Sequence, residues 1–515
     1  MPQYPFDEYP QSELPSSITD AAGNRLTAPV GTAVTVATPA SPRWVPAFPQ
    51  LLGNNTVSNF DPGVSWSGAF FHTNVPICLD TTATAIIVWN SCTGVSIGES
   101  AAGASAPSDW KQQNRVIASV MVGGANQGRY AFTNAATTIM MDSLPRLSKR
   151  KALTLTTSSN VILRFGGYKF DTSMNFQVPS NILANRKVRL AGSNVTTDVP
   201  GEVDGTGNIG GSANNGYCPY FLLETTSTTF RSWIIKGSSI AYGGGGWWVT
   251  GVQGSYPQST AMAGAASAIE IGLFRRADAA NGMTSSVNLS EPGASMFRWT
   301  PQSALPAIKP DLDYYAGRFA FEQLVGATDV AISDGVNAYS AASSGFDLTN
   351  YIAAMSQMLE TEIKKNQALN RRTWFCLECL QTTSSNWSVA QTDAQFRNAQ
   401  TPALNGIGSG ATANRAALKT ALAAVCARLG SAWLIDMANI PVQPDGTTAQ
   451  SLNSSGQLVY NKVYDGTTYY TPTGYTGAED GTHPGHALAV IMGDYLATLF
   501  GTKNQTTFPA PGALN

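Results

Sequence analysis

The sequence predicts an α/β fold in its second half, a parallel sheet flanked by helices, preceded by a β-rich first half. Three observations carry this. The chain changes texture near residue 230. Before that point, short β-like runs are separated by Gly, Ser, Asn and Pro clusters, and no long stretch has a helical period. Beyond it, apolar strand-like runs alternate with amphipathic helical ones, the pattern of a parallel sheet covered on both faces.

Taken in order, residues 1–50 are Pro-rich, with "SPRWVPAFPQ" at 41–50, and read as an extended arm or linker. Residues 51–229 read as one or two β-rich domains suited to attachment or carbohydrate binding. Their runs include "ATAIIVW" (83–89), "VIASVMV" (116–122), "ALTLTT" (152–157) and "NVILRFGGYKF" (160–170). Residues 230–505 form the α/β domain, and 506–515 a tail. Its candidate strands are "RSWIIKG" (231–237), "SSVNLS" (285–290), "RFAFEQLVG" (318–326), "RTWFCLECL" (372–380) and "AWLIDMA" (432–438). Two helices are expected between the last of these. Leu348, Ile352, Met355, Leu359 and Ile363 share one face behind an Asp347 cap, and Leu418, Leu422, Val425, Cys426 and Leu429 share another behind Thr412.

The bulk numbers set outer bounds. A chain of 515 residues, 43% hydrophobic, holds two or three domains with ample core. Only 12% of residues are charged, and 31 basic against 33 acidic side chains give a net charge of -2, which excludes a basic nucleic-acid footprint. The opening "MPQYPFDEYPQSELPSS" has neither basic nor apolar signal regions, and no apolar run reaches bilayer length, so neither secretion by a cleaved signal nor membrane insertion is expected. Six scattered cysteines are too sparse for a disulfide framework. The "CLEC" spacing of Cys376 and Cys379 falls within a strand run, where residues i and i+3 face opposite ways and cannot grip one metal ion.

In such sheets, chemistry gathers where strands lead into helices. After the first candidate strand comes "GSSIAYGGGGWW" (237–248), after the second "EPGAS" (291–295), after the third "GATD" (326–329), and before the closing helix "DGTHPG" (480–485). That last stretch holds one of only three histidines. A serine hydroxyl needs a base within hydrogen-bond reach, for which His483 is suited, and Asp480 three residues earlier is placed to fix its tautomer. The oxyanion formed at the attacked carbonyl needs preorganised donors.

These four stretches, in this order over roughly half the chain, resemble the four blocks of the SGNH hydrolases, the GDSL esterase and lipase superfamily. The resemblance implies a flavodoxin-like parallel sheet and assigns Ser239 as nucleophile, with Ser238 where the family has Asp. It implies Gly293, with the Ser239 N–H, as oxyanion donors, and Thr328 as a third where the family has Asn. Asp480, His483 and Pro484 match the last block without departure. His486 is read as a packing or capping residue, and His72 as an ordinary one. Trp247 and Trp248, close after the nucleophile, read as a platform for a sugar ring.

The function this implies is a serine esterase that removes acyl groups, acetyl foremost, from a polysaccharide or other glycan through an acyl-enzyme, with no metal or organic cofactor. The β-rich first half, Pro-rich start and missing signal resemble a bacteriophage tail fibre or tailspike esterase. That setting implies a place in the virion, tail proteins as partners of the N-terminal half, and a homo-oligomer, although no coiled-coil heptads are present. The alternatives are an inactive glycan-binding or structural module and a microbial lipase. A lipase would show an apolar lid segment, and the blocks have none beside them.

Overall fold

The computed structural model describes residues 34–35, 42–47, 50–51, 64–72, 80–89, 114–132, 139–141, 144–156, 159, 161–168, 186–193, 203–205, 219–242, 267–275, 285–290, 312–334, 347–378, 381–383, 401–403, 411–440, 450–452, 454, 458–460, 463–464, 469–470 and 486–515.

Among the described residues, the first half is built on two antiparallel sheets. One runs in the order Lys151–Leu155, Thr81–Val88, Tyr220–Thr225, Arg43–Pro46. The other runs in the order Arg186–Ser193, Val64–His72, Val161–Tyr168, Asn114–Val122, Ala125–Arg129. Their facing side chains, among them Val45, Ile86, Val88, Phe221 and Leu223 against Ala118, Val120, Leu163 and Phe165, form one core. The alternate residues Ile87, Trp89, Tyr220 and Leu222 face the other way and enter a second core shared with the α/β half. The first sheet is therefore buried on both sides, which explains why "ATAIIVW" is a continuous apolar run and not an alternating one.

The α/β half holds a seven-stranded parallel sheet: β1 (Gln50–Leu51), β2 (Trp233–Lys236), β3 (Ser286–Asn288), β4 (Asp329–Ser333), β5 (Arg372–Leu377), β6 (Ala432–Asp436) and β7 (Gly512–Ala513). Across the sheet the order is β7-β6-β5-β4-β2-β3-β1, so β3-β2-β4-β5-β6 is the flavodoxin-like arrangement with its switch point beside β2. The helices are α1 (Ser239–Tyr242), α2 (Ala268–Arg275), α3 (Leu312–Leu324), α4 (Leu348–Ala368), α5 (Ala411–Leu429) and α6 (His486–Phe500). Helices α3, α4 and α5 cover one face through Phe321, Met355, Met358, Leu359, Leu418 and Leu422. On the other face, Ile269 and Leu273 of α2 and Met492, Leu496 and Phe500 of α6 pack on Trp233, Trp374 and Trp433. Gly272 lets α2 and α6 touch: a Cβ there would stand 3.0 Å from both the Gly493 carbonyl oxygen and Leu496 Cβ. None of the helices among the described residues is long and apolar enough to cross a membrane.

Four of the five expected strands and both expected helices form, with Asp347 Oδ1 accepting from the N–H groups of Thr349 and Asn350 as the cap of α4. The exception is "RFAFEQLVG". Residues 318–324 belong to α3, with Arg318, Phe321, Glu322 and Val325 on its inward side. The strand lies just beyond it, in "DVAIS". Charged Arg318 and Glu322 escape the helix-period reading because both are buried, in a network where Lys236 Nζ meets Glu322 Oε1 at 3.0 Å and Glu362 Oε2 at 2.6 Å.

The supposed arm and tail also contribute strands. Arg43–Pro46 joins the first sheet and Gln50–Leu51 is β1; in the tail, Gly512–Ala513 is β7 and Thr507–Phe508 pairs antiparallel with Val34–Thr35. Arg43 fastens the two halves together, donating to Ser232 Oγ at 2.9 Å and to the carbonyls of Gly326 and Phe230.

Candidate active site

The loops that leave the strands of the parallel sheet gather at its carboxyl edge. The chain leaves β2 through Gly237 and Ser238, and Ser239 is the first residue of α1. The turn is tight: a Cβ at 237 would stand 2.3 Å from Ala241 Cβ and 2.8 Å from Ser333 Cβ, so only glycine fits. Ser238 Oγ accepts from the Ile240 N–H at 3.2 Å and donates to the Glu378 carboxylate, 3.1 Å from each oxygen.

The loop after β3 is tied to the same turn. Asn288 Nδ2 donates to the Ala241 carbonyl at 3.0 Å, and Asn288 Oδ1 accepts from the Ser290 N–H at 2.9 Å. Asn288 also bonds Glu270, whose carboxyl burial pushes up to about 7. One buried amide thus fixes the start of the segment leading to Gly293 relative to the helix that begins at Ser239. Sequence reading passed over Asn288, which looks like the last polar residue of an ordinary strand.

An acidic cluster lies beneath these loops. Glu378, just past β5, accepts the hydroxyls of Ser238 and Ser333, while its own N–H donates to Asp334 Oδ1 at 2.7 Å. Arg415 of α5 donates to the Glu378 and Leu377 carbonyls and to Asp436 Oδ1 at 2.6 Å. Burial raises Asp334 to about 7. Burial, then the nearby Asp334 charge, raises Glu378 to about 8.

Thr328 is elsewhere. It precedes β4, so it stands at the amino edge, across the sheet from Ser239. Its Oγ1 accepts from the Ser232 N–H at 3.0 Å and donates to Asp329 Oδ2 at 2.8 Å, and it is buried. Every part of "GATD" has a structural reason there. A Cβ at Gly326 would stand 2.8 Å from Arg43 Cβ and the Trp44 carbonyl oxygen. Asp329 is gripped by Arg231 (3.0 Å), Arg372 (2.7 Å) and Trp374 Nε1 (2.8 Å). The assignment of Thr328 to the oxyanion hole is therefore withdrawn. Because residues 318–324 are helix α3 and not a strand, the "GATD" segment leads into β4 at the amino edge. The segment that does leave β4 at the carboxyl edge is "SDGVN" (333–337), and its Gly335-Val336-Asn337 has the Gly-x-Asn spacing.

Gly293, Trp247, Trp248, Asp480 and His483 lie outside the described residues. The direction of α6 nonetheless bears on the last two. The Phe500 carbonyl, at its end, accepts from Arg231, which sits two residues before β2 at the amino edge. Fifteen residues of helix span about 22 Å, so α6 begins at the carboxyl edge, and His486 is its first residue. Asp480 and His483 come just before that point in the chain.

No family model matches the chain, and no curated protein matches it. Several solved structures are similar. A family 2 carbohydrate esterase with a carbohydrate-binding domain from Corynascus thermopiles (Myceliophthora fergusii) shares 13% identity over 89% of this chain and 98% of its own, at a TM-score of 0.29. A family two carbohydrate esterase from Clostridium thermocellum in complex with cellohexaose shares 13% over 87% and 96%, also at 0.29. The periplasmic domain of a lipopolysaccharide acetyltransferase from Salmonella ser. Paratyphi A shares 12% over 52% and 84%, at 0.30. At such identities and scores these likenesses carry no argument about activity. The strand order, and the turn at Gly237–Ser239 that opens a helix at the carboxyl edge, are those of a flavodoxin-like α/β fold.

Proposed function

We propose that the chain is a serine esterase that removes O-acyl groups, acetyl foremost, from a carbohydrate. The observation that carries this is the position of Ser239: the first residue of α1, directly after a turn that only glycine permits, at the sheet edge where α6 begins behind Asp480 and His483. Ser239 Oγ attacks the ester carbonyl carbon while His483 takes the hydroxyl proton and Asp480 steadies the imidazolium. The oxyanion is held by the N–H groups of Ser239 and Gly293, and the third donor falls to Asn337. Collapse breaks the bond to the sugar oxygen, which leaves with the proton from His483. Water, deprotonated by the same histidine, then attacks the acyl carbonyl, and collapse breaks its bond to Ser239 Oγ, which regains the proton from His483 as the carboxylic acid leaves and ionises.

Trp247 and Trp248, within ten residues of the nucleophile, support a sugar as the alcohol half of the ester. The β-rich first half, clamped to the hydrolase by Arg43, supports a role in presenting this site to a surface glycan, as in a virion tail component. The deciding measurement is acetate release from O-acetylated bacterial polysaccharides and aryl acetates by the unaltered protein and by Ser239→Ala. Release that disappears in the variant supports the reading. No release by the unaltered protein from any substrate would replace it with a glycan-binding role on an inactive site.

A further inference from the structure

In the SGNH resemblance, the residue before the nucleophile is an aspartate, and here it is Ser238. A carboxyl nonetheless occupies the space below the turn. It belongs to Glu378, just past the end of β5, two strands away, and reaches Ser238 past Ser333 at the end of the intervening β4.

We propose that Glu378 is the positioning residue of the Ser239 turn, supplying from across the sheet the acid that the family carries at position 238. The proposal rests on the reading of Ser239 as nucleophile and deepens it. Four features of the site carry it. Glu378 is 2% exposed, and burying a carboxyl is costly unless its oxygens are satisfied. Among the described residues its oxygens meet the hydroxyls of Ser238 and Ser333, while Arg415 gives its N–H groups to the Glu378 and Leu377 carbonyls and to Asp436. Its backbone is fixed independently, by Asp334 from one side and Arg415 from the other. Finally, Ser238 Oγ also accepts from the Ile240 N–H, so the Glu378 carboxyl sets the orientation of a hydroxyl that in turn sets the first turn of α1. The Ser238 and Ser333 hydroxyls both converge on one acid, and Gly237 is pressed against Ser333 and Ala241.

The test is kinetic, with an aryl acetate as substrate. Hydrolysis by the unaltered protein that is lost in Ser239→Ala secures the underlying reading; if the unaltered protein does not hydrolyse it, that reading fails and this one falls with it. With hydrolysis in hand, Glu378→Ala lowers kcat about ten- to a hundredfold, the scale of a nucleophile misplaced by a fraction of an ångström, and leaves KM within about twofold. Adding Ser238→Asp to that variant returns kcat by about tenfold or more, because the acid is restored from the other end of the same contact. Unchanged kcat in a folded Glu378→Ala protein, or no recovery in the folded double variant, would overturn the proposal. If Glu378→Ala does not fold, a cycle of Ser238→Ala, Glu378→Gln and their combination decides: losses in kcat that fail to add mean the two side chains act as one unit, and additive losses would refute it.

Discussion

Gly237 and Ser333 stand at the ends of neighbouring strands so close that a Cβ on Gly237 would lie 2.8 Å from that of Ser333 and nearer still to Ala241. Neither obstacle is a flexible side-chain end, so the backbone itself must shift. Gly237→Ala is expected to cost about 1–3 kcal/mol by overpacking and to lower kcat more than a hundredfold, by displacing Ser239 from its base. Urea unfolding and ester hydrolysis by the folded fraction measure the two effects separately. A variant with full activity would mean that Ser239 does not depend on this turn.

Asn337, the third donor of the proposed site, and Thr328, at the amino edge, are separated by their opposite effects. Asn337→Ala is expected to lower kcat roughly a hundred- to a thousandfold with little loss of stability. Thr328→Val removes the acceptor for the Ser232 N–H and the donor to Asp329, so it costs about 1–3 kcal/mol of stability and leaves kcat of the folded protein unchanged. Reversal of this pattern in steady-state kinetics would return Thr328 to the site.

Asp329 joins Arg231, Arg372 and Trp374 at the amino edge, fully buried. Asp329→Ala leaves two guanidinium groups without their counter-charge and is expected to destabilise by about 3–5 kcal/mol. The two arginines hold the Asp329 carboxyl well below the usual carboxylate range despite burial. A carboxyl with a depressed folded value contributes stability that is present above its unfolded value of about 3.9 and lost as pH falls below it. The unaltered protein should therefore lose stability as pH falls below about 4, and Asp329→Asn should flatten that part of the profile. Denaturation midpoints between pH 2 and 5 check this.

Glu378 behaves in the opposite sense. Burial and the neighbouring Asp334 raise its carboxyl to about 8 from an ordinary 4.5. A group that holds its proton more tightly when folded contributes stability that is complete below the unfolded value and lost as pH rises towards the folded one. Around it stand Asp334, Asp436, Arg415, Cys376 and the hydroxyls of Ser238 and Ser333, and Asp334 titrates in the same direction. Glu378→Gln, which cannot ionise, should gain on the unaltered protein as pH climbs from 5 to 8 and hold that margin above. Urea midpoints at pH 5, 7 and 9 that run parallel for the two proteins would contradict it.

Most of the sheet was legible in the sequence because its strands are short apolar runs bounded by glycine and helix caps, as at Trp233–Lys236 and Ala432–Asp436. The junction from β2 into α1 was legible, and Gly237 there answers a local steric demand. What could not be read was anything whose reason lies far along the chain. Arg318 and Glu322 fall in a run read as a strand, and their partners lie on other elements: Arg318 donates to the Leu289 carbonyl, and Glu322 accepts from Lys236 and pairs with Lys365. The "GATD" segment satisfied a motif by spacing, yet its glycine answers to Arg43 and Trp44 and its Asp to Arg231 and Arg372. Glu378 carried no signal, because a lone acid after a strand becomes informative only once Ser238 and Ser333 are seen to converge on it.

The pairing of Val34–Thr35 with Thr507–Phe508, together with the edge strand Gly512–Ala513, sets a timetable. Both depend on residues made long after those at 34–35. At roughly 5–20 residues per second, the segment at 34–35 waits tens of seconds for its partner, and such long-range closures are slow in themselves. Until then the β6 edge stays open and the Trp433 indole N–H lacks its acceptor, the Pro509 carbonyl. A chain stopped at residue 505 would be left with that unfinished edge, a template for the wrong neighbour. Residues 507–513 thus act as a clasp, closing the β6 edge and pairing with the segment at 34–35.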